Sequence, residues 1–407
     1  MNLSAWGVMV RSLDVIVVGL GAMGSSAAFH LAQRGYRTLG FDAFPRGHDR
    51  GSSHGKTRII RTAYYEAPDY VPFVRRAWSL WRELEGTSGR QLLRKTGGLY
   101  IGRPETALVS GALASAREHG LTHELLDAET AAVRFPGLRL APDQVAVWEA
   151  EVALIDLEAA MAALVDEARA AGAELHYSTP VERWIPDGDG VRVETSLGTF
   201  HAERLVLATG PWLPTSVPEL NLPLTVWRIL HVHFAPTTPA RYRAEHFPFA
   251  LWEDETGIYG AFPELPGQGV KFGRHDAGEV CTPETVRRTA EPTEIEELRT
   301  TLERYWPGAT GPVLWYLTCL YTMTPDHHFV IDRHPKWPQV VLCSACSGHG
   351  FKFAPAIGEL LADLTTEPTT SPPALFRLTR FQRAEDDSIA RPLFGASQEV
   401  HGNQPDE

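Results

Sequence analysis

An apolar run at residues 15–18 leads into Gly19-Leu-Gly21-Ala-Met23-Gly24, and an alanine-rich helical pattern follows as far as Arg34. Gly35 then stands where a helix terminus favours a residue that tolerates positive φ. Residues 37–41 read as a second strand, with Asp42 at its end. Strand, glycine turn, helix, strand and terminal acid, in that order, are the grammar of a dinucleotide-binding half-domain. Gly19 permits the tight turn, Gly21 lets backbone approach a pyrophosphate, and Gly24 lets helix and strand close on each other. Met23 belongs to the same turn and counts with the cofactor contacts. The N–H groups and dipole at the helix start attract phosphate, and Asp42 is placed to accept hydrogen bonds from a ribose. A glycine-rich turn without a ligand is the plainer alternative. The motif does not separate FAD from NAD.

The 407 residues suffice for two or three folding units, or for one large discontinuous pair. A formal net charge of −12 argues against a nucleic-acid partner, which needs a basic face. No apolar run approaches the ~20 residues that span a bilayer, so no membrane partner is expected. Four cysteines are too few for a disulfide scaffold and favour a reducing, cytoplasmic setting. Residues 1–13 lack the basic start and apolar core of a signal peptide, and Met9 is as reasonable a start as Met1. No set of side chains has metal-ligand spacing.

The pattern predicts helices over residues 71–85, 112–119 and 157–171, with a strand over 92–101. Residues 202–210 read as a buried strand returning to the nucleotide domain and ending in Gly210. From residue 223 the texture changes to short aromatic strands, at 226–234, 249–253, 258–262 and 270–274. A helix at 294–305 interrupts them, and a buried strand at 340–343 leads to another helix ending near residue 364. The expected fold is α/β. A discontinuous Rossmann-like FAD-binding domain takes residues 1–90, 150–222 and 324–390. A mainly antiparallel β-sheet substrate domain takes 91–149 and 223–323, and 391–407 is a polar tail.

Five separated motifs occur in one order. They are Gly19-x-Gly21-x-x-Gly24, Gly51-Ser-Ser-His-Gly-Lys-Thr-Arg-Ile-Ile-Arg61, Cys319-Leu-Tyr-Thr322, Asp326-x-x-Phe-Val-Ile-Asp332 and Ser347-Gly-His-Gly-Phe-Lys352. So arranged, the chain resembles the monomeric sarcosine oxidase and N-methyltryptophan oxidase family of amine-oxidising flavoproteins. The resemblance covers residues 14–382. It implies FAD, held covalently by a cysteine thioether that falls at Cys319. It also implies a monomer acting on an amino-acid substrate and O2, with release of hydrogen peroxide. Around the cofactor it gathers Ser52, His54, Thr57, Arg58, Gly210, Gly348, Gly350, Phe351 and Lys352.

The residues themselves leave alternatives open. Were the segment helical, Arg58 and Arg61 would share a face, and a guanidinium fork suits a carboxylate. Lone arginines otherwise form solvated surface pairs. The resemblance makes Arg61 and Lys352 the carboxylate pair and puts Arg58 near the flavin. Cys319 lies in an apolar strand, where cysteines are mostly structural; the resemblance makes it the attachment point. Cys343 and Cys346 have redox spacing but read as packing. Strand alternation puts Lys271, Gly273 and His275 on one face. The resemblance assigns Lys271 to oxygen reduction and His275 to the substrate border, where a buried cation would stabilise the first reduced oxygen species. Tyr321 lines the pocket, and His349 shapes the loop. Gly260 stands where sarcosine oxidases have a second tyrosine, and Ser53, Lys56 and Thr62 also depart from the pattern. The lost tyrosine admits N-methyltryptophan, a cyclic imino acid or a glycated amino acid as substrate. An FAD dehydrogenase with another electron acceptor, and a nucleotide-binding module with a degenerate active site, are the remaining readings.

Overall fold

Leu13–Val18, the apolar run of the fingerprint, is a strand whose last four residues are buried, in a computed structural model that describes residues 13–383. It pairs in parallel with Thr38–Phe41 on one side and Gly198–Leu207 on the other. Glu174–His176 and Val340–Ser344 extend this parallel core at its two flanks. The hairpin Val181–Asp187 and Gly190–Thr195, together with Val330–Arg333, completes eight strands. The carboxyl ends of the parallel strands therefore gather beside the glycine turn, where this topology binds ligands.

Helices cover the sheet because their apolar residues recur at helical spacing. Tyr70–Ser88 buries Val71, Val74, Trp78 and Trp81, and Leu157–Ala170 buries Leu157, Ala160, Leu164 and Ala168. The second helix starts where the Asp156 carboxylate accepts from Ala159 N at 2.9 Å. Ala22–Gln33 packs between it and Ala354–Thr366. Gly24 is obligatory in this arrangement, since a β-carbon there would lie 1.8 Å from the Gly19 carbonyl oxygen.

The second layer is a nine-stranded, mostly antiparallel sheet. The aromatic strands Thr225–Phe234, Phe249–Asp254, Gly257–Leu265 and Gly269–Arg274 form its middle, and Val313–Met323 pairs along the whole of Thr225–Phe234. Gly98–Gly102 joins it in parallel beside Phe249–Asp254, followed by Val145–Glu149 and His123–Leu126. Its core is Trp252, Phe272, Phe234 and Trp306, packed against the helix Pro292–Tyr305. A third sheet of three short strands, Thr57–Ile60, Leu93–Lys95 and Ala153–Asp156, bridges the two layers.

Several sequence expectations are corrected. The helical condition under which Arg58 and Arg61 would share a face is not met: Arg58 lies in the strand Thr57–Ile60, whose backbone partners run from Asp156 to Ala153. The strand at 92–101 is two strands in two sheets, broken at Gly97, where φ is +66°. The helix read at 112–119 begins earlier, at Ala107. The tail 391–407 and the choice between Met1 and Met9 lie outside the described residues. Among the described residues no helix is long and apolar enough to cross a membrane.

Candidate active site

One continuous cavity of about 1160 Å³ is lined by residues of both large sheets. One end is walled by Gly19, Gly21, Met23, Asp42 and Gly210, the other by Arg58, Arg61, Lys271, His275 and Cys319. Ser52, His54, Tyr321, Gly348, Gly350, Phe351 and Lys352 line it as well. Two of the sequence candidates do not. Gly24 sits behind the turn against Gly19, and Thr57 contributes its carbonyl oxygen, which accepts from Lys271 Nζ at 3.0 Å.

At the fingerprint end, Asp42 Oδ2 accepts from Leu20 N at 2.8 Å and Oδ1 from Phe44 N at 2.9 Å. The acid thus fixes the turn while it faces the cavity. Ser53 Oγ accepts from Ala22 N at 3.0 Å, so one donor at the helix start is already taken. The fit to a dinucleotide rests on the glycine backbone at the helix start and on the unbroken length of the cavity from Asp42 to Cys319.

Cys319 is buried on Val313–Met323. Arg58 Nη2 donates towards its sulfur at 3.7 Å and also donates to the carbonyls of Ser52 and His54, both at 2.9 Å. Ser52 Oγ donates to Leu320 O at 2.6 Å. The loop after the second strand is thereby tied to the cysteine strand, and a thiolate at Cys319 would have a cation beside it. Cys343 packs into the helix core and, like Cys346, lines the cavity; burial pushes both thiols up, Cys343 to about 12. All four cysteines are free.

The densest charge is at the opposite wall. Arg61 is 2% exposed and paired with Glu66, itself 5% exposed. Its guanidinium lies 4.4 Å from the centre of the Tyr64 ring and 4.7 Å from that of Tyr65. Burial opposes the charge of Arg61, but Glu66 together with Tyr64, Tyr100 and Tyr65 outweighs it, and the pKa stands above its ordinary value. Arg61 Nη1 is buried with no hydrogen-bond partner among the described residues. Lys352 Nζ donates to His349 O at 2.6 Å and to Tyr64 Oη at 3.4 Å. Burial, then the neighbouring Arg61, drives its pKa well down. Tyr64 Oη and His349 Nδ1 are 2.6 Å apart, and His349 Nε2 meets His327 O at 3.0 Å. Arg61 and Lys352, adjacent and buried beside Glu66, make a site that an anion would complete, and the anion would favour the charged form of Lys352.

Lys271 and Gly273 face the cavity from the strand Gly269–Arg274, His275 lines it just past the strand's end, and Lys271 Nζ lies 4.2 Å from the Phe262 ring centre. Burial and Arg58 depress the Lys271 pKa well below the usual lysine range. Burial likewise lowers His275 to about 3; its Nδ1 is 3.4 Å from Tyr321 Oη. The Tyr321 ring lies over Gly348, whose β-carbon, if present, would be 2.8 Å from Cε2. Gly260 has room: a β-carbon there would make ordinary contact with Leu251 at 3.5 Å and Phe262 at 3.9 Å. Lys56, one of the departures, turns outward to Glu158 at 2.8 Å. Sequence reasoning passed over Tyr64, Glu66 and His231, although the aromatic-acid run after Arg61 was a usable signal. No group of three or more described His, Cys, Asp or Glu residues is arranged to hold a metal.

The FAD dependent oxidoreductase family profile (DAO) matches residues 14–364. The monomeric sarcosine oxidase of Streptomyces avermitilis is 43% identical over 371 residues, which is 90% of this chain and 96% of that protein. The N-methyl-L-tryptophan oxidase of Salmonella arizonae is 33% identical over 375 residues, 91% of this chain and 99% of that one. Among solved structures, the open form of NikD, an unusual amino acid oxidase essential for nikkomycin biosynthesis, superposes with a TM-score of 0.78 at 26% identity, covering 89% of this chain and 96% of that chain.

Proposed function

Since the chain belongs to the FAD dependent oxidoreductases, in the family of monomeric sarcosine oxidase and N-methyltryptophan oxidase, we propose that it oxidises an N-methyl α-amino acid. The products are an imine, hydrolysed to formaldehyde and the primary amino acid, and hydrogen peroxide from O2. The observation that carries this reading is the unpartnered Arg61 Nη1 beside Lys352, on the same cavity as Cys319 and Lys271.

The glycine turn, Asp42 and Gly210 would hold the dinucleotide part of FAD, and Cys319 would hold its ring through a thioether. When bound, FAD accepts a hydride equivalent from the substrate. Arg61 and Lys352 grip the carboxylate and so aim the N-methyl carbon at one point, an orientation effect worth up to ~7–11 kcal/mol of a barrier. His275 and Tyr321 border the amine, and both present uncharged polar atoms at neutral pH, since burial holds His275 low and Tyr321 high. Lys271 stands at the place of oxygen reduction, and the enzyme works as a monomer on small molecules. Gly260 lines the cavity with no side chain of its own, which favours an N-methyl amino acid bulkier than sarcosine.

Acid precipitation of the purified protein tests the cofactor arm. Yellow colour should stay in the pellet and move to the supernatant in Cys319→Ala. Colour in the supernatant of the parent protein would refute the thioether. A panel of N-methyl amino acids that yields neither formaldehyde nor peroxide would refute the activity.

A further inference from the structure

One polar side chain of the cavity has no part in the reaction as described. His231 lies on Thr225–Phe234, directly opposite Gly273 on one neighbouring strand and Leu317 on the other. Residues directly opposed in a sheet share a face, so the imidazole stands on the cavity face. Lys271 is the direct partner of His233, which makes it the diagonal neighbour of His231 on that face. The ring lies against the bare α-carbon of Gly273, where a β-carbon would come within 2.8 Å of Cδ2. Leaning over a glycine, it fills the side-chain space of two strands and lines the same cavity as Lys271 and Cys319.

Its hydrogen bonding is incomplete. Nδ1 is buried and has no partner among the described residues. An aliphatic side chain would fill this space without the cost of an unsatisfied ring nitrogen, so the imidazole is out of place unless a ligand meets it. The groups that act on it are Lys271 from the strand Gly269–Arg274, His275 just past its end, Arg58 from another strand and His233 from its own. All are basic, and with burial they keep the imidazole neutral. A neutral imidazole carries one N–H donor and one acceptor nitrogen, whereas the Lys271 ammonium only donates.

We infer that His231 is a positioning residue for oxygen reduction, holding the reduced oxygen species by a hydrogen bond beside Lys271 Nζ. The inference rests on the oxidase reading above. Dioxygen takes two electrons and one proton from the reduced cofactor, its double bond becomes single, and hydroperoxide anion results. The second proton comes from the Lys271 ammonium, whose proton is loosely held because burial and Arg58 lower its pKa. The hydrogen peroxide so formed has an O–H that the imidazole accepts, and solvent returns a proton to Lys271 as the product leaves. Lysine supplies charge and proton; histidine supplies the acceptor that fixes the place.

The test uses holoenzyme carrying His231→Phe, which keeps a ring over Gly273, and His231→Gln, which restores a polar group. Flavin reduced with dithionite under nitrogen is mixed with aerated buffer, so reoxidation is read without any substrate. Reduction by N-methyl amino acids is read separately under nitrogen. Reoxidation should slow about tenfold in His231→Phe, the size expected for one lost hydrogen bond, and recover largely in His231→Gln. Anaerobic reduction should stay within about twofold, and the visible bands of the oxidised flavin should shift in His231→Phe, as they would not for a side chain remote from the ring. Unchanged reoxidation, equal losses in both variants, or equal slowing of both half-reactions would overturn the inference. If His231→Phe retains no flavin, His231→Leu is judged by the same criteria. Failure of every N-methyl amino acid to reduce the parent enzyme would instead refute the proposed substrate, since the dithionite experiment does not depend on it.

Discussion

Replacing Arg61 by lysine separates its ion pair with Glu66 from its proposed duty as carboxylate anchor. One guanidinium nitrogen, Nη2, is engaged by Glu66, while Nη1 is buried and unpartnered. A lysine ammonium at 61 can neutralise Glu66, which is 5% exposed and cannot be left alone, but it has no second arm for a ligand carboxylate. The loss is therefore one charge-assisted hydrogen bond, ~1.5–3 kcal/mol, or roughly 10- to 150-fold in affinity. Arg61→Met would confound the measurement, because stripping a buried acid of its partner costs ~3–5 kcal/mol of stability. The assay is titration of the flavin spectrum with methoxyacetate, an ether isostere of sarcosine with no C–N bond to oxidise. Its dissociation constant should rise by that factor in Arg61→Lys while the melting temperature falls by only a few degrees. A dissociation constant within threefold of the parent, in a folded variant with full flavin content, would refute Arg61 as the carboxylate anchor.

Gly24→Ala should abolish flavin retention and lower the melting temperature, since its methyl would collide with the Gly19 carbonyl 1.8 Å away; a variant that purifies yellow at the parent's temperature would count against the fingerprint reading. Gly260→Ala has room for its methyl and should leave stability nearly unchanged. It should raise KM for N-methyl amino acids with large side chains while sparing sarcosine, and equal effects on both would show that side chains lie elsewhere. Stability should also fall with acid. His30 and His54 are held at about 4, and His233 and His275 at about 3, mainly by burial, against 6.5 when free. Below pH ~6.5 the unfolded chain binds protons that the folded chain refuses, so stability present above that pH is lost as pH falls towards 3. Asp326 and Glu359, lowered by ion pairs with arginine, add to the loss in the same direction at the acid end. A urea midpoint that stays constant from pH 7 to 5 would contradict the burial of these histidines.

The sequence was most readable where a single backbone requirement dictates residue type. Gly19 and Gly24 announce the turn because nothing larger fits, and the helix Tyr70–Ser88 announces itself through Val71, Val74, Trp78 and Trp81 on one face. Pairing partners were harder to read. The segment from Arg58 to Arg61 carries no legible secondary structure of its own, because spacing alone cannot reveal that the strand Ala153–Asp156, about a hundred residues later, claims its backbone. The same limit hid the break at Gly97, where one apolar stretch is divided between two sheets. Within the site, motif residues were legible and their partners were not. Glu66 follows Arg61 by five positions, a spacing with no regular secondary structure behind it, and only the folded loop turns it back onto the guanidinium. His231 has no motif at all. Its place follows from its register against Gly273, which is a property of the assembled sheet.

The cavity's charge ties substrate binding to reactivity. Arg58, Arg61, Lys271 and Lys352 all line it, and His275 joins them as a neutral group. Glu66 offsets only one of these cations. A zwitterionic amino acid entering this field gains through its carboxylate and loses through its ammonium. The loss is relieved when the amine gives up its proton to water, so the field that holds the carboxylate also lowers the amine's pKa. A secondary amine can donate a hydride equivalent only as the free base. On the proposed reading, one arrangement of arginine and lysine would therefore anchor the substrate and bring its nitrogen to the reactive form, without a dedicated base. On this argument, removing Lys352 as Lys352→Met should weaken binding and also move the acid limb of the pH profile for flavin reduction upwards. A change in binding with an unmoved limb would separate the two effects and assign deprotonation to another group.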